Sequence, residues 1–182
     1  MLKVAVFLAD GFEELEAVTV VDILRRGEVN VLTVSIMPDL KVVGSHGMEF
    51  TADKMFDANA LKDFDMVVLP GGLGGMNNLK AHEGVNAICK EFASGDKYVC
   101  AICAAPTVLG CAGILRGRTA VCYPGFEKYL EGATIGSGNV VTDGKIITSK
   151  GPGTAIEFAF ELLTVIKGKE VADQVKAGML LK

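Results

Sequence analysis

Tyr98-Val99-Cys100-Ala101-Ile102-Cys103-Ala104-Ala105-Pro106-Thr107 passes from strand to helix with almost no connection between them. The first five residues form a short apolar run of the kind a strand covered on both faces requires. Pro106 suits the first turn of a helix, where its missing N–H leaves no gap. Cys103 therefore stands at a sharp strand-to-helix turn. Such a turn pushes its side chain out of the sheet toward solvent, at the positive end of the following helix. A turn this tight needs small residues two before and two after the corner. Ala101 and Ala105 fill the role that glycines fill in G-x-S-x-G enzymes. The competing reading of Cys103 is a small buried hydrophobe; the flanking alanines favour the elbow.

The same alternation continues on either side. Val4-Ala5-Val6-Phe7-Leu8 reads as a buried strand and Asp10-Gly11-Phe12 as a turn. A helix is expected from about Glu13 to Arg26, acidic at its start and basic at its end, which complements the helix dipole. Asn30–Ser35 is a second strand, and Val42–Thr51 a hairpin-like excursion. Asp65–Leu69 is another buried strand, ending in a glycine-rich loop at Pro70. Glu83–Ala93 is helical by spacing. Thr119-Ala120-Val121 is a short strand, and Val140–Thr148 a hairpin around an Asp-Gly turn. Gly151-Pro152-Gly153 leads into a last helical region from Thr154. Strands alternating with helices predict an α/β domain with a mainly parallel sheet. In such a fold, sites gather at the carboxyl ends of strands. Asp10–Glu16, Pro70–Gly75 and Cys103 all fall there.

With 182 residues, the expectation is one domain over residues 1–182. No apolar run is long enough to cross a bilayer. The formal charge of −4 argues against a phosphate-binding surface for nucleic acid. The chain enters a strand directly, without a secretory signal, so the expectation is a cytoplasmic protein with reduced thiols. Cys100 and Cys103 spell C-x-x-C, but side chains alternate along a strand, which places the two sulfurs on opposite sides. A zinc site lacks a second C-x-x-C or a histidine pair. Cys89, Cys111 and Cys122 are expected to be structural, with Cys122, which follows a strand, the one that could also lie near the site.

Helix N-termini and nearby donors lower a thiol pKa from about 8.5, and the elbow offers Cys103 both. Pro70-Gly71-Gly72-Leu73-Gly74-Gly75 contains neither G-x-G-x-x-G nor a P-loop ending. It reads as a loop whose backbone approaches a reacting oxygen, with the N–H groups of Gly72 and Ala104 forming an oxyanion hole. Glu13, Glu14 and Glu16 open a helix that is apolar around much of its circumference. At least one of them is expected to be drawn into a low dielectric, which raises a carboxyl pKa. Periodicity does not say which. His46 lies in the hairpin excursion and His82, before a helix, reads as a solvated surface residue. No Cys-His protease dyad is evident.

Gly11-Phe12-Glu13-Glu14-Leu15-Glu16, Pro70-Gly71-Gly72, Ala101–Pro106 and Ser149-Lys150-Gly151-Pro152-Gly153-Thr154, in this order, resemble the ThiJ/PfpI superfamily, in the branch of the Parkinson-disease-associated protein deglycase. The resemblance covers nearly the whole chain. It implies a flavodoxin-like three-layer sandwich, a homodimer, and neither metal nor organic cofactor. It selects Glu16 as the protonated partner of a Cys103 thiolate and assigns the oxyanion amides to Gly72 and Ala104. The implied partner is a small reactive aldehyde or a glycated adduct. The implied activity is glyoxalase or deglycase chemistry without glutathione, with methylglyoxal converted to lactate. A cysteine-based oxidative-stress sensor or redox-regulated chaperone is the alternative. Two departures stand out. Tyr123, expected as a catalytic residue beside Cys103 and Glu16, occupies the position of a histidine common in the branch; a tyrosine can donate a hydrogen bond but is a poor base near neutral pH, which leaves proton shuttling to Glu16. Ala104 replaces the histidine that follows the nucleophile in the protease-like branch.

Overall fold

The computed structural model describes residues 2–181. The chain runs β1 (Lys3–Leu8), α1 (Glu14–Arg26), β2 (Asn30–Ser35), β3 (Lys41–Val43), β4 (Glu49–Thr51), β5 (Lys54–Met55), α2 (Ala58–Leu61) and β6 (Met66–Leu69). It continues through α3 (Leu73–Ala81), α4 (Glu83–Ser94), β7 (Tyr98–Ile102), α5 (Pro106–Cys111), β8 (Thr119–Ala120), β9 (Thr134–Ile135), β10 (Val140–Asp143), β11 (Ile146–Ser149), α6 (Ala155–Lys167) and α7 (Lys169–Gly178). Two 3-10 turns, Glu127–Tyr129 and Pro152–Thr154, lie between.

Seven strands form the central sheet in the order β10-β11-β7-β6-β1-β2-β5, and only the β10–β11 pair is antiparallel. Apart from residues at their ends, β1, β6 and β7 are buried throughout. That is why their sequences are continuous apolar runs rather than alternating ones. Helices flank the sheet. On one side α1 packs against α6, with α7 against α6. On the other α3, α4 and α5 contact one another. Buried Ala17, Val20 and Leu24 of α1, with Phe158, Leu162 and Leu163 of α6, belong to one continuous core. Each large aliphatic side chain there contributes about 1.5–3 kcal/mol of burial.

From β1 the chain turns outward to β2, then returns to place β6 on the other flank of β1. This reversal of strand order opens a crevice at the carboxyl ends of β1 and β6. β7 pairs with β6 in register Leu69 to Ala101, so the elbow lies beside that crevice.

The structure differs from the sequence expectation in three places. Residues 73–81 are helical where a glycine-rich loop was expected through Gly75. Gly75 permits this because its backbone presses on Phe12; a Cβ there would stand 2.7 Å from Phe12 Cα. The short β5 and α2 had no periodicity to announce them, being two and four residues long. His82 is not a solvated bystander. Its Nδ1 accepts the Val85 N–H at 3.1 Å as the N-cap of α4, and its ring lies edge-on to Phe56.

Candidate active site

Three elements ending at the same edge of the sheet build the site. α1 begins after β1 and carries Glu16. The Pro70–Gly72 turn follows β6. The elbow follows β7. Cys103 adopts φ 66, a left-handed conformation that few non-glycine residues accept. It is held there from both sides. Its N–H donates to the Ser149 carbonyl at 3.0 Å, and its carbonyl accepts the Tyr123 N–H at 2.8 Å. The elbow is thus formed as expected, but the sulfur does not project into solvent. Cys103 is only 8 % exposed, recessed beneath the loops around it.

Glu13 caps α1 from an extended backbone, its carboxylate accepting the Glu16 N–H at 2.8 Å. One turn of helix then carries Glu16 inward until it is fully buried. Glu16 Oε2 accepts the Gly71 N–H at 2.7 Å, while Oε1 has no hydrogen-bond partner among the described residues. Gly71 lies between the acid and the thiol. A Cβ there would stand 2.5 Å from Cys103 Cβ, 2.7 Å from Glu16 Oε2 and 3.0 Å from Cys103 Sγ. Only a residue without a side chain lets the two groups meet. Gly72, next along, has φ 86 and faces Gly11 and Glu13 so closely that a Cβ would collide with their backbones. The Gly72 and Ala104 amides lie near enough to the Cys103 sulfur to favour its charged form.

Burial pushes the Glu16 carboxyl up to about 7, against the Gly71 N–H and the Cys103 thiol, which favour the anion; the charge on Glu13 adds to the rise. Burial also pushes the Cys103 thiol up, to about 12, with the Glu16 carboxylate acting in the same direction. The Gly72 and Ala104 amides oppose this. The expectation of a simply lowered thiol pKa is therefore corrected. The sulfur is shielded from water, and a second negative charge beside it is costly. Thiol and carboxyl form a coupled pair, in which the first proton to leave belongs to both groups.

Tyr123 meets the elbow through its backbone. Its ring is half exposed, lies edge-on to Phe126 and flanks Gly151, and its hydroxyl makes no hydrogen bond among the described residues. Cys100 is completely buried within β7, so the C-x-x-C pair is divided between sheet interior and elbow. All five cysteines are free.

Sequence reasoning missed the Glu14–His46 pair. The β3–β4 turn folds onto the start of α1, where buried Glu14 accepts the His46 N–H at 2.7 Å and the Ser45 hydroxyl at 3.0 Å. His46 Nδ1 lies 2.8 Å from Glu14 Oε2. Burial works against the charge on Glu14, but these hydrogen bonds outweigh it and hold the carboxyl at about 2. Glu13, Glu14 and His46 bring donor atoms within 4.8 Å of one another. Because Glu14 is already engaged by hydrogen bonds, the group is accounted for as an ion pair docking the hairpin.

A strand-to-helix elbow bearing cysteine, set against a buried carboxyl at the carboxyl edge of a mainly parallel sheet, makes this an α/β protein with a cysteine–acid pair at its crevice. The comparisons with known proteins agree: residues 2–165 match the model of the DJ-1/PfpI family, and the chain belongs to that family. It is 37 % identical to Parkinson disease protein 7 homolog of Danio rerio, over an alignment of 184 residues covering 99 % of this chain and 97 % of that protein. It is 33 % identical to glutathione-independent glyoxalase DJR-1.2 of Caenorhabditis elegans, over 93 % of this chain and 88 % of that one. The solved structure of oxidized Toxoplasma gondii DJ-1 superposes with TM-score 0.93 at 36 % identity, covering 100 % of this chain and 99 % of the other. The chain spans less than half the length of two Arabidopsis thaliana DJ-1 homologues that it also matches, 45 % and 42 %. Among the described residues, no helix is long and apolar enough to cross a membrane.

Proposed function

We propose that this protein is a cofactor-independent cysteine enzyme acting on small 2-oxoaldehydes, converting methylglyoxal to lactate. The observation that carries the reading is the fully buried Glu16 carboxyl facing the Cys103 sulfur across the bare backbone of Gly71, with the Gly72 and Ala104 amides favouring a charge on that sulfur. Loss of one proton from the pair gives two tautomers. The reactive one holds the charge on sulfur and the proton on Glu16.

Cys103 Sγ attacks the aldehyde carbon, and the C=O electron pair moves to oxygen. The resulting oxyanion is held by the Gly72 and Ala104 amides and becomes a hemithioacetal on protonation. Glu16, as carboxylate, removes the proton from the former aldehyde carbon, giving an enediol. It then returns a proton to the neighbouring carbon, leaving a 2-hydroxyacyl thioester. Water cleaves the C–S bond, releasing the 2-hydroxy acid and the thiol, for a net addition of one water. A carboxyl raised to about 7 is suited to both taking and giving a proton at neutral pH. Tyr123 stands at the rim and supplies no base. The kinship to a glutathione-independent glyoxalase supports this reading.

The test is turnover of methylglyoxal without glutathione. Cys103→Ala should abolish it, and Glu16→Gln should lower kcat by about 10²–10⁴. Tyr123→Phe should remain within about tenfold of the parent, the range left when no general base is lost. The rate of Cys103 alkylation should climb through a step near pH 7 that Glu16→Gln removes. A single step near pH 12, indifferent to Glu16, would refute the shared proton.

The second reading is a redox sensor, in which peroxide oxidises Cys103 to a sulfinate held by the same amides and by protonated Glu16. The oxidised state of the Toxoplasma gondii relative favours keeping it. It requires that Cys103 oxidise faster than exposed Cys111. A homodimer is part of the proposal. Leu15 and Val18, three residues apart on α1, are about half exposed and offer an apolar contact. Leu15→Asp should yield monomers by sedimentation.

A further inference from the structure

The charges around the thiol are one-sided. Glu13, Glu14 and Glu16 stand at the cap and in the first turn of α1. Gly71 links this turn to the sulfur. Its carbonyl accepts the Glu13 N–H at 2.9 Å, its N–H donates to Glu16 Oε2 at 2.7 Å, and a Cβ on it would stand 3.0 Å from Cys103 Sγ. Glu16 is fully buried, and Glu14 is engaged by Ser45 and His46. Glu13 differs from both. Its side chain is 13 % exposed, and its carboxylate accepts the Glu16 N–H at 2.8 Å. It keeps contact with water while bonded to the helix turn that carries the buried acid.

Among the described residues, no lysine or arginine lies within ion-pair distance of Glu13, Glu14 or Glu16. His46 Nδ1 is 4.0 Å from Glu13 Oε1 but 2.8 Å from Glu14 Oε2, so its charge belongs first to Glu14. Arg25 and Arg26, farther along α1, are paired with Asp53 and Asp22. Lys150, next to the Ser149 that holds the elbow, gives its ammonium to the Ser137 carbonyl at 3.1 Å. Cys103 is recessed, so much of the path between the Glu13 charge and a molecule approaching the sulfur runs through protein rather than water. Coulomb interactions are stronger along such a path. A cleft bordered by one sign of charge sorts its ligands by theirs.

We infer that Glu13 is a specificity-determining residue, whose carboxylate turns anions away from Cys103 and admits neutral and cationic carbonyl compounds. A 2-oxo acid, with its carboxylate one bond from the carbonyl to be attacked, is excluded. An aldehyde bearing an ammonium group is favoured. The inference rests on the proposed function in taking the electrophile to be a carbonyl compound. Under that reading a neutral aldehyde enters and a 2-hydroxy acid anion leaves, so the charge that admits the substrate also favours departure of the product.

The test reads the thiol rather than turnover. The full-length protein is treated at neutral pH with iodoacetamide, iodoacetate and 2-bromoethylammonium, which are neutral, anionic and cationic. Alkylation of Cys103 is followed by peptide mass spectrometry, and each rate is divided by that of 2-mercaptoethanol with the same reagent. Comparing reagents on one protein cancels the thiolate population, which the Glu13 charge also alters through Glu16. The expected result is iodoacetate slower than iodoacetamide by about fivefold, and the cation faster than both. Glu13→Gln keeps an oxygen for the Glu16 N–H but removes the charge, and should bring the three normalised rates within about twofold of one another. Glu13→Asp keeps the charge and a capping oxygen, and should retain the order. Salt at about 1 M, which shortens the screening length to about 3 Å, should compress the differences in the parent without any substitution. Equal normalised rates in the parent, an order that survives in Glu13→Gln or in salt, or a Cys103 that reacts with none of the three would overturn the inference. Absence of methylglyoxal turnover alongside the expected order would overturn the catalytic reading alone.

Discussion

Two residues without much chemistry of their own decide what Cys103 and Glu16 can do. Gly71 separates them, and its hypothetical Cβ would stand within 3.0 Å of atoms of both. Gly71→Ala is therefore expected to force the pair apart. Overpacking of this kind costs about 1–3 kcal/mol. The variant should fold, melt lower, and lose at least about 10² in turnover through misplacement of the reacting groups. The elbow conformation carries its own cost, about 1–2 kcal/mol for a non-glycine residue in the left-handed region. Cys103→Gly should accordingly be more stable than Cys103→Ala by about 1 kcal/mol, the reverse of the usual order, as chemical denaturation can measure. The elbow pattern drew attention to Cys103 and Ala104, the glycine-rich loop after Leu69 to Gly72, and resemblance alone chose Glu16 among three glutamates. It could not show Gly71, because a glycine needed for the contact between two other side chains looks like any turn glycine. Nor could it show that the thiol is recessed, since shielding comes from loops distant in sequence.

At the scale of elements, β1, β6 and β7 were readable because, apart from residues at their ends, they are buried on both faces and so apolar throughout. β3–β4 was recognisable as a hairpin, yet its purpose was not. Its turn supplies Ser45 and His46 to Glu14, and so fastens the start of the helix that carries Glu16. Nothing in a local pattern announces a contact spanning 32 residues. The consequence is measurable in acid. Glu14 titrates at 4.5 in the unfolded chain and at about 2 in the folded one. Its contribution is present above pH 4.5 and lost as pH falls toward 2. Glu14→Gln should destabilise the protein at pH 7 by about 2 kcal/mol, as loss of hydrogen bonds to a charged group does. It should also flatten the decline in urea midpoint between pH 4.5 and 2. An unchanged acid decline would assign it to other carboxylates.

Across the whole molecule the opposite slope comes from Glu16. Its pKa rises from 4.5 to about 7 on folding, so the native state keeps a proton that the unfolded chain has released. Stability due to this group is full below pH 4.5, falls as pH rises to about 7, and is level above. The loss amounts to about 3 kcal/mol, and Glu16→Gln should remove it; denaturation midpoints at pH 5 and 8 provide the comparison. The fold class was legible from alternation alone, while the crevice beside β1 depends on strand order, which no single segment encodes. The two hydrogen bonds that hold the elbow come from Tyr123 and Ser149, 20 and 46 positions downstream of Cys103. A growing polypeptide on the ribosome that has not yet emerged past β11 carries the cysteine without its corner. Its thiol then lacks the partners that fix it, and the site can form only once Ser149 has been added.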